Sequence, residues 1–330
     1  MSKIIIAIHG LGNKPSKDIL RKWWKTAIFE GLKHIGHFRL FLKFEFVYWT
    51  DILHTNPLDP QIKDKDDPLY LDEPYTPAKI LKKSKPNKTR KKILDYLNNQ
   101  LDKLFLKDDM TIHFEGVSDL IVHHYFRDLE IYFSSEIESN RLAKDLIQQR
   151  LVRILKKHRR KKILLIAHSM GSIIAYDVLT YVLPESQIHT FVTIGSPLGM
   201  PIVISKIVTE QKKKLIKIKK VRTPENVTHY WYNFSDLEDR TAIDYDLAGD
   251  YDENSRHIKV IDHLVHNNYE YDGKENPHKS YGYLRTPEFS KVIYDFLYED
   301  RPWLIKWIRN KWDYYLSKFM GLGTGIGNIL

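Results

Sequence analysis

Two runs of consecutive apolar residues stand out along the chain, Lys3–Ile8 (KIIIAI) and Lys162–Ala167 (KILLIA). Aliphatic runs without polar alternation suit strands buried on both faces of a sheet. After the first run the pattern changes to helical spacing: Leu20, Trp23, Trp24, Ala27, Ile28 and Leu32 share one face, with Ser16 or Asp18 as the cap. Further strands are predicted over 38–49, 110–115, 189–194, 227–234 and 257–261, and helices over 89–106, 140–158, from Ser172 to about Val182 and from Pro287. Strands alternating with helices predict an α/β fold, a mostly parallel central sheet with helices on both faces.

Two segments depart from that rhythm. From about 51 to 138 the chain reads as an inserted, lid-like region; prolines at 57, 60, 68, 74, 77 and 86 sit among charged residues and tyrosines in its first part. Residues 301–330 form the second. In 303–320 (WLIKWIRNKWDYYLSKFM), Trp303, Leu304, Trp307, Ile308, Tyr315, Leu316 and Phe319 recur at helical spacing, whereas Lys306, Arg309, Asn310, Asp313 and Ser317 fall elsewhere. Packing on the domain and lying on an anionic membrane surface are both open to such a helix. The ending GLGTGIGNIL is expected to be a flexible tail. The main domain is therefore expected over 1–300.

Composition narrows the chemistry. The chain has 330 residues, 42% of them hydrophobic, enough for a large core. It contains no cysteine, which excludes disulfides, thiolate metal sites and a cysteine nucleophile. The run Ile4–Ile8 is too short for a secretory h-region, and no apolar stretch approaches the ~20 residues of a membrane span. A cytoplasmic protein, at most peripheral to a membrane, is expected. The net charge is +10, with basic clusters at 82–92, 156–162 and 212–220. No nucleic-acid-binding signature accompanies them, so nucleic acid is not an expected partner. His123–His124 lacks well-spaced carboxylates, so no metal and no cofactor is expected.

The sharpest signal follows the second run: Ala167-His168-Ser169-Met170-Gly171, then a helical stretch. A nucleophile elbow sets its serine on a strained strand-to-helix turn, and only small residues fit two positions either side. Ala167 and Gly171 meet that condition. His9-Gly10-Leu11-Gly12 ends the first strand and has the composition of a loop whose backbone approaches a developing oxyanion. The N–H groups of Leu11 and Met170 are the candidate donors; His9, Gly10, Gly12 and Gly171 shape the turns.

In this order IHGLG, AHSMGSIIAYDVL, VTIGSPLG and WYNFSDLED resemble the α/β-hydrolase superfamily, most of all its lipase-like and phospholipase-like members. The HSMGSIIAYDVL and GSPLG pair is similar to a segment of intracellular phospholipases A1 and related bacterial hydrolases. The resemblance covers about 1–50 and 160–290. It implies the α/β-hydrolase fold, Ser169 as nucleophile, and an acid and a histidine following in that order. Asp239 matches the acid of a WxNxxDxxD pattern, with Asp236 as the alternative. His278, in a polar loop before Tyr283, matches the histidine loop; His263 and His266 are alternatives, and His257 is a further candidate. The implied activity is hydrolysis of a carboxylic ester, with an ester or lipid as substrate. Thioester or amide cleavage, or a non-catalytic scaffold of the same fold, are the other readings. His168 and Ser196 are expected to be structural.

Overall fold

The computed structural model describes residues 1–78, 132, 138–213, 221–239, 245–302, 307 and 311. The expected helix over 89–106, the strand over 110–115, His123–His124 and most of the C-terminal helix and tail lie outside the described residues. The elements that place the site are β1 (Lys3–Ile8), α1 (Lys17–His34), β2 (Phe44–Val47), α2 (Glu138–Lys157), β3 (Lys162–His168) and α3 (Met170–Asp177). They continue with β4 (Ile188–Ile194), α4 (Pro201–Lys213), β5 (Val227–Ser235), β6 (Val260–Leu264), α5 (Ser280–Leu284) and α6 (Pro287–Tyr298).

Six strands form one sheet in the order β2-β1-β3-β4-β5-β6, and every pairing in it is parallel. The two apolar runs are adjacent, from Lys3 opposite Lys162 to Ile8 opposite Ala167. Their side chains alternate between two cores. Ile4, Ile6, Ile8, Ile163, Leu165 and Ala167 meet Leu151 and Leu155 of α2, Ile173 of α3 and Ile204 of α4. Ile5, Ala7, Leu164 and Ile166 meet Trp24 and Ile28 of α1, Tyr283 of α5 and Phe289 and Ile293 of α6. Burial on both faces is why these strands read as continuous apolar runs. The chain thus has an α/β architecture with helices on both faces of a parallel sheet.

Strand order reverses at β1, which lies between β2 and β3. The helix after β1 covers one face and the helix after β3 the other, so the chain parts at their C-terminal ends. Open α/β sheets bind ligands in such a crevice.

Several boundaries differ from expectation. The second strand is Phe44–Val47 rather than 38–49, because pairing with β1 begins at Ile5 opposite Phe44 and leaves Leu40 and Phe41 exposed. The strand expected over 257–261 runs Val260–Leu264 instead. Asn254 Oδ1 accepts from Arg256 N and Ile258 N, and His257 adopts φ 60°, which turns the chain before pairing can start. Helix α4 was not expected, nor was α5, which begins at the end of the polar loop that carries His278. The helix after the elbow widens into a π turn over Val178–Val182. Of the lid-like region, residues 53–78 are irregular. Among the described residues no helix is long and apolar enough to cross a membrane.

Arg285, just after α5, is 1% exposed and ties three segments together. Its guanidinium donates to Asn268 Oδ1 (2.7 Å), Asn268 O (3.1 Å) and Thr76 O (2.7 Å), and lies 3.4 Å from Glu30 Oε2 on α1. Removing one member of a buried ion pair strands the other charge and its carbonyl partners. Arg285→Leu is expected to destabilise the fold by about 3 kcal/mol, read as a lower denaturant midpoint at unchanged slope; an unchanged midpoint contradicts the clamp.

Candidate active site

The turn between β3 and α3 gives Ser169 φ 52° and ψ −130°, a conformation that costs a residue with a side chain roughly 1–3 kcal/mol. Its N–H donates to Ile194 O (3.1 Å), and its carbonyl accepts from Ser172 N (2.8 Å) and Ser172 Oγ (2.6 Å). The bend leaves no space beside the neighbouring loop. A Cβ on Gly171 would stand 2.6 Å from the His9 carbonyl oxygen, and one on Gly10 2.6 Å from Ser169 Cβ. This crossing explains why small residues occupy both motifs.

Ser169 is only 2% exposed, but it lines a cleft of about 400 Å3 at the C-terminal ends of β1 and β3. His278 Nε2 lies 3.0 Å from Ser169 Oγ, and His278 Nδ1 lies 2.9 and 3.1 Å from the Asp239 carboxylate oxygens. A carboxylate accepts, so the imidazole proton belongs on Nδ1 and Nε2 accepts from the serine hydroxyl. Leu11 lines the same cleft. Met170 opens α3, where first-turn N–H groups lack intrahelical acceptors.

The other candidates fall elsewhere. Asp236 is buried, and its carboxylate accepts from Glu238 N (2.8 Å) and Asn267 N (2.6 Å) rather than facing His278. Its carboxyl is raised above the usual range, chiefly by burial. His266 Nδ1 lies 3.7 Å from Asp236 Oδ2. His263, on β6, stacks on Phe234 at 5.0 Å, and burial lowers its pKa. His257 is exposed and pairs with Glu253. Ser196 bonds Ser172 Oγ (2.7 Å) and Leu198 N (3.2 Å).

Supporting residues escaped the sequence reading. Asn267 Nδ2 donates to Pro277 O (2.7 Å) and Lys279 O (2.8 Å), and His168 Nε2 donates to His278 O (2.8 Å). Three successive carbonyls of the histidine loop are therefore held. Glu73 adds contacts to Asn276 (2.8 and 3.0 Å) and Lys279 (2.8 Å). On the other side, His9 stacks on Trp49 at 4.8 Å; Trp49 donates through its backbone N–H to His9 Nε2 (3.1 Å) and through Nε1 to His9 O (3.0 Å). Lys14 Nζ contacts the Leu11 carbonyl. No motif or periodicity in the sequence marks these supporting residues.

Residues 135–234 match a family model described as the PGAP1-like alpha/beta domain. That domain has a hydrolase-like fold, in keeping with the resemblance read from the motifs. The match includes the elbow, β3, β4 and β5 up to Phe234, and leaves the HGLG loop, Asp239 and His278 outside it. No curated protein and no solved structure matches the chain.

Two buried histidines flank the cleft in neutral form. Burial, helped by the Lys14 charge, brings His9 down to about 3; burial, helped by His278, holds His168 well below the usual imidazole value. In the unfolded chain either ring protonates near pH 6.5. Between about pH 6.5 and pH 3 the unfolded state therefore binds more protons at these positions, and their contribution to stability falls as pH falls. Buried Asp177, Asp236 and Asp262 have raised values and act oppositely. A difference measurement isolates His9. The melting-temperature gap between the wild type and His9→Asn is expected to narrow from about pH 7 to about pH 4, whereas a constant gap contradicts a buried neutral imidazole.

Proposed function

We propose that this protein is a serine hydrolase that cleaves carboxylic esters through an acyl-enzyme on Ser169. The observation that carries the reading is the chain of contacts from Ser169 Oγ to His278 Nε2 and from Nδ1 to Asp239, assembled on a strained turn at the floor of a cleft. His278 takes the hydroxyl proton as Oγ attacks the ester carbonyl, and Asp239 orients the ring and stabilises the imidazolium. Charge developing on the carbonyl oxygen is met by the N–H groups of Leu11 and Met170. His278 then returns the proton to the leaving alcohol, and water, activated by the same ring, releases the acid.

The cleft supports a lipase-like preference. Leu20, Trp24, Leu58, Leu71 and Tyr281 give it an apolar wall suited to an acyl chain. A non-catalytic scaffold is the weaker reading, because a strained serine held against an imidazole costs stability without returning packing.

Ser169→Ala is expected to abolish hydrolysis of p-nitrophenyl esters and labelling by a fluorophosphonate probe, with the fold unchanged by circular dichroism. Labelling that survives the substitution removes Ser169 from this role.

A further inference from the structure

The GSPLG motif and Tyr283 belong to none of the steps above, yet they meet at Asp239. Gly195 follows β4 with φ 51°, a left-handed conformation that favours glycine. Even an accommodated Cβ there would stand 2.9 Å from Asp239 Oδ2, 3.1 Å from Tyr283 Cε2 and 3.2 Å from His278 Nδ1. The missing side chain is the space in which acid, imidazole and phenol come together.

Tyr283, on α5, is fully buried and its hydroxyl serves two partners. It donates to Asp239 Oδ2 (2.8 Å) and accepts from Asp236 N (3.0 Å). The backbone N–H of Asp236 orients the phenol, leaving its single proton aimed at the carboxylate. Burial and the two aspartates keep that proton in place, holding the phenol well above its ordinary value. The Asp239 side chain is itself completely buried, where a carboxylate is tolerated only with directed donors. Oδ2, which Tyr283 fixes, is also the nearer oxygen to His278 Nδ1.

We infer that Tyr283 is a positioning residue for ester cleavage, holding Asp239 in the rotamer that orients His278, with Gly195 providing the room for that contact. The inference rests on the Ser169–His278–Asp239 reading. It differs from a packing role because the effect of the hydroxyl must pass through the Asp239 carboxylate.

A double-mutant cycle tests that route, with kcat expressed per active site titrated to completion by a fluorophosphonate, so that any unfolded fraction is not counted. Tyr283→Phe keeps the ring and removes only the hydroxyl. Loss of a hydrogen bond to a charged group is expected to lower kcat about ten-fold with KM unchanged. In an Asp239→Asn background the same change is expected to cost less than about two-fold, because residues acting as one unit are not additive. An unchanged kcat for Tyr283→Phe, while Asp239→Asn is impaired, overturns this inference alone. An equal fold-loss in both backgrounds also overturns it, since a structural defect adds regardless of Asp239. Full activity of Asp239→Asn overturns both this inference and the reading beneath it.

Discussion

Two backbone segments cross at the C-terminal edge of the sheet with no room for a side chain between them. Gly171 lies under the carbonyls of Ile8 and His9, and Gly10 lies against Ser169 Cβ. The rest of the site depends on that proximity. It follows from the pairing of β1 with β3, which sets Ile8 beside Ala167 and so makes the two following loops neighbours. The reversal of strand order sends the next helices to opposite faces and opens the cleft above. A parallel sheet buried on both faces thus converts two unremarkable glycine turns into one narrow junction.

Around the junction, rigidity comes from neutral hydrogen bonds more than from charge. His9 is clamped by Trp49, His168 holds the His278 carbonyl, and Asn267 grips the residues on either side. Neutral imidazoles suit this task, because a second buried positive charge next to His278 would oppose the imidazolium of the proposed ester cleavage. Asp236 serves the same end indirectly: its carboxylate fixes Asn267, which fixes the histidine loop. Ionic clamps add to these, at Arg285 with Glu30 and, on the cleft wall, at Lys279 with Glu73.

The elbow, the HGLG loop and the central strands were legible because their constraints are local. Burial on both faces writes a continuous apolar run, and a tight turn writes small residues at fixed offsets from a serine. Asp239 and His278 were ranked first through resemblance and chain order, but that His278 stands between Asp239 and Ser169 is a matter of distances no sequence pattern carries. Tyr283, Asn267, Trp49, Arg285 and Gly195 were not legible as a group. Most act on a partner far away in sequence, as when Tyr283 meets Asp239 or Arg285 meets Glu30 and Thr76, and no periodic pattern encodes such a pairing. Helix α4 was hidden for another reason. It starts at Pro201, two residues past the GSPLG segment that ends β4, with no polar cap residue to announce it.

The proposed reaction passes through a covalent intermediate on one hydroxyl. Mixing the full-length protein with excess p-nitrophenyl ester, quenching in acid during turnover and mapping the peptides by mass spectrometry tests it directly. A single acyl adduct on Ser169, formed with the first burst of nitrophenol, is expected. An adduct on any other residue, or ester turnover that leaves Ser169 unmodified at every quench time, contradicts it.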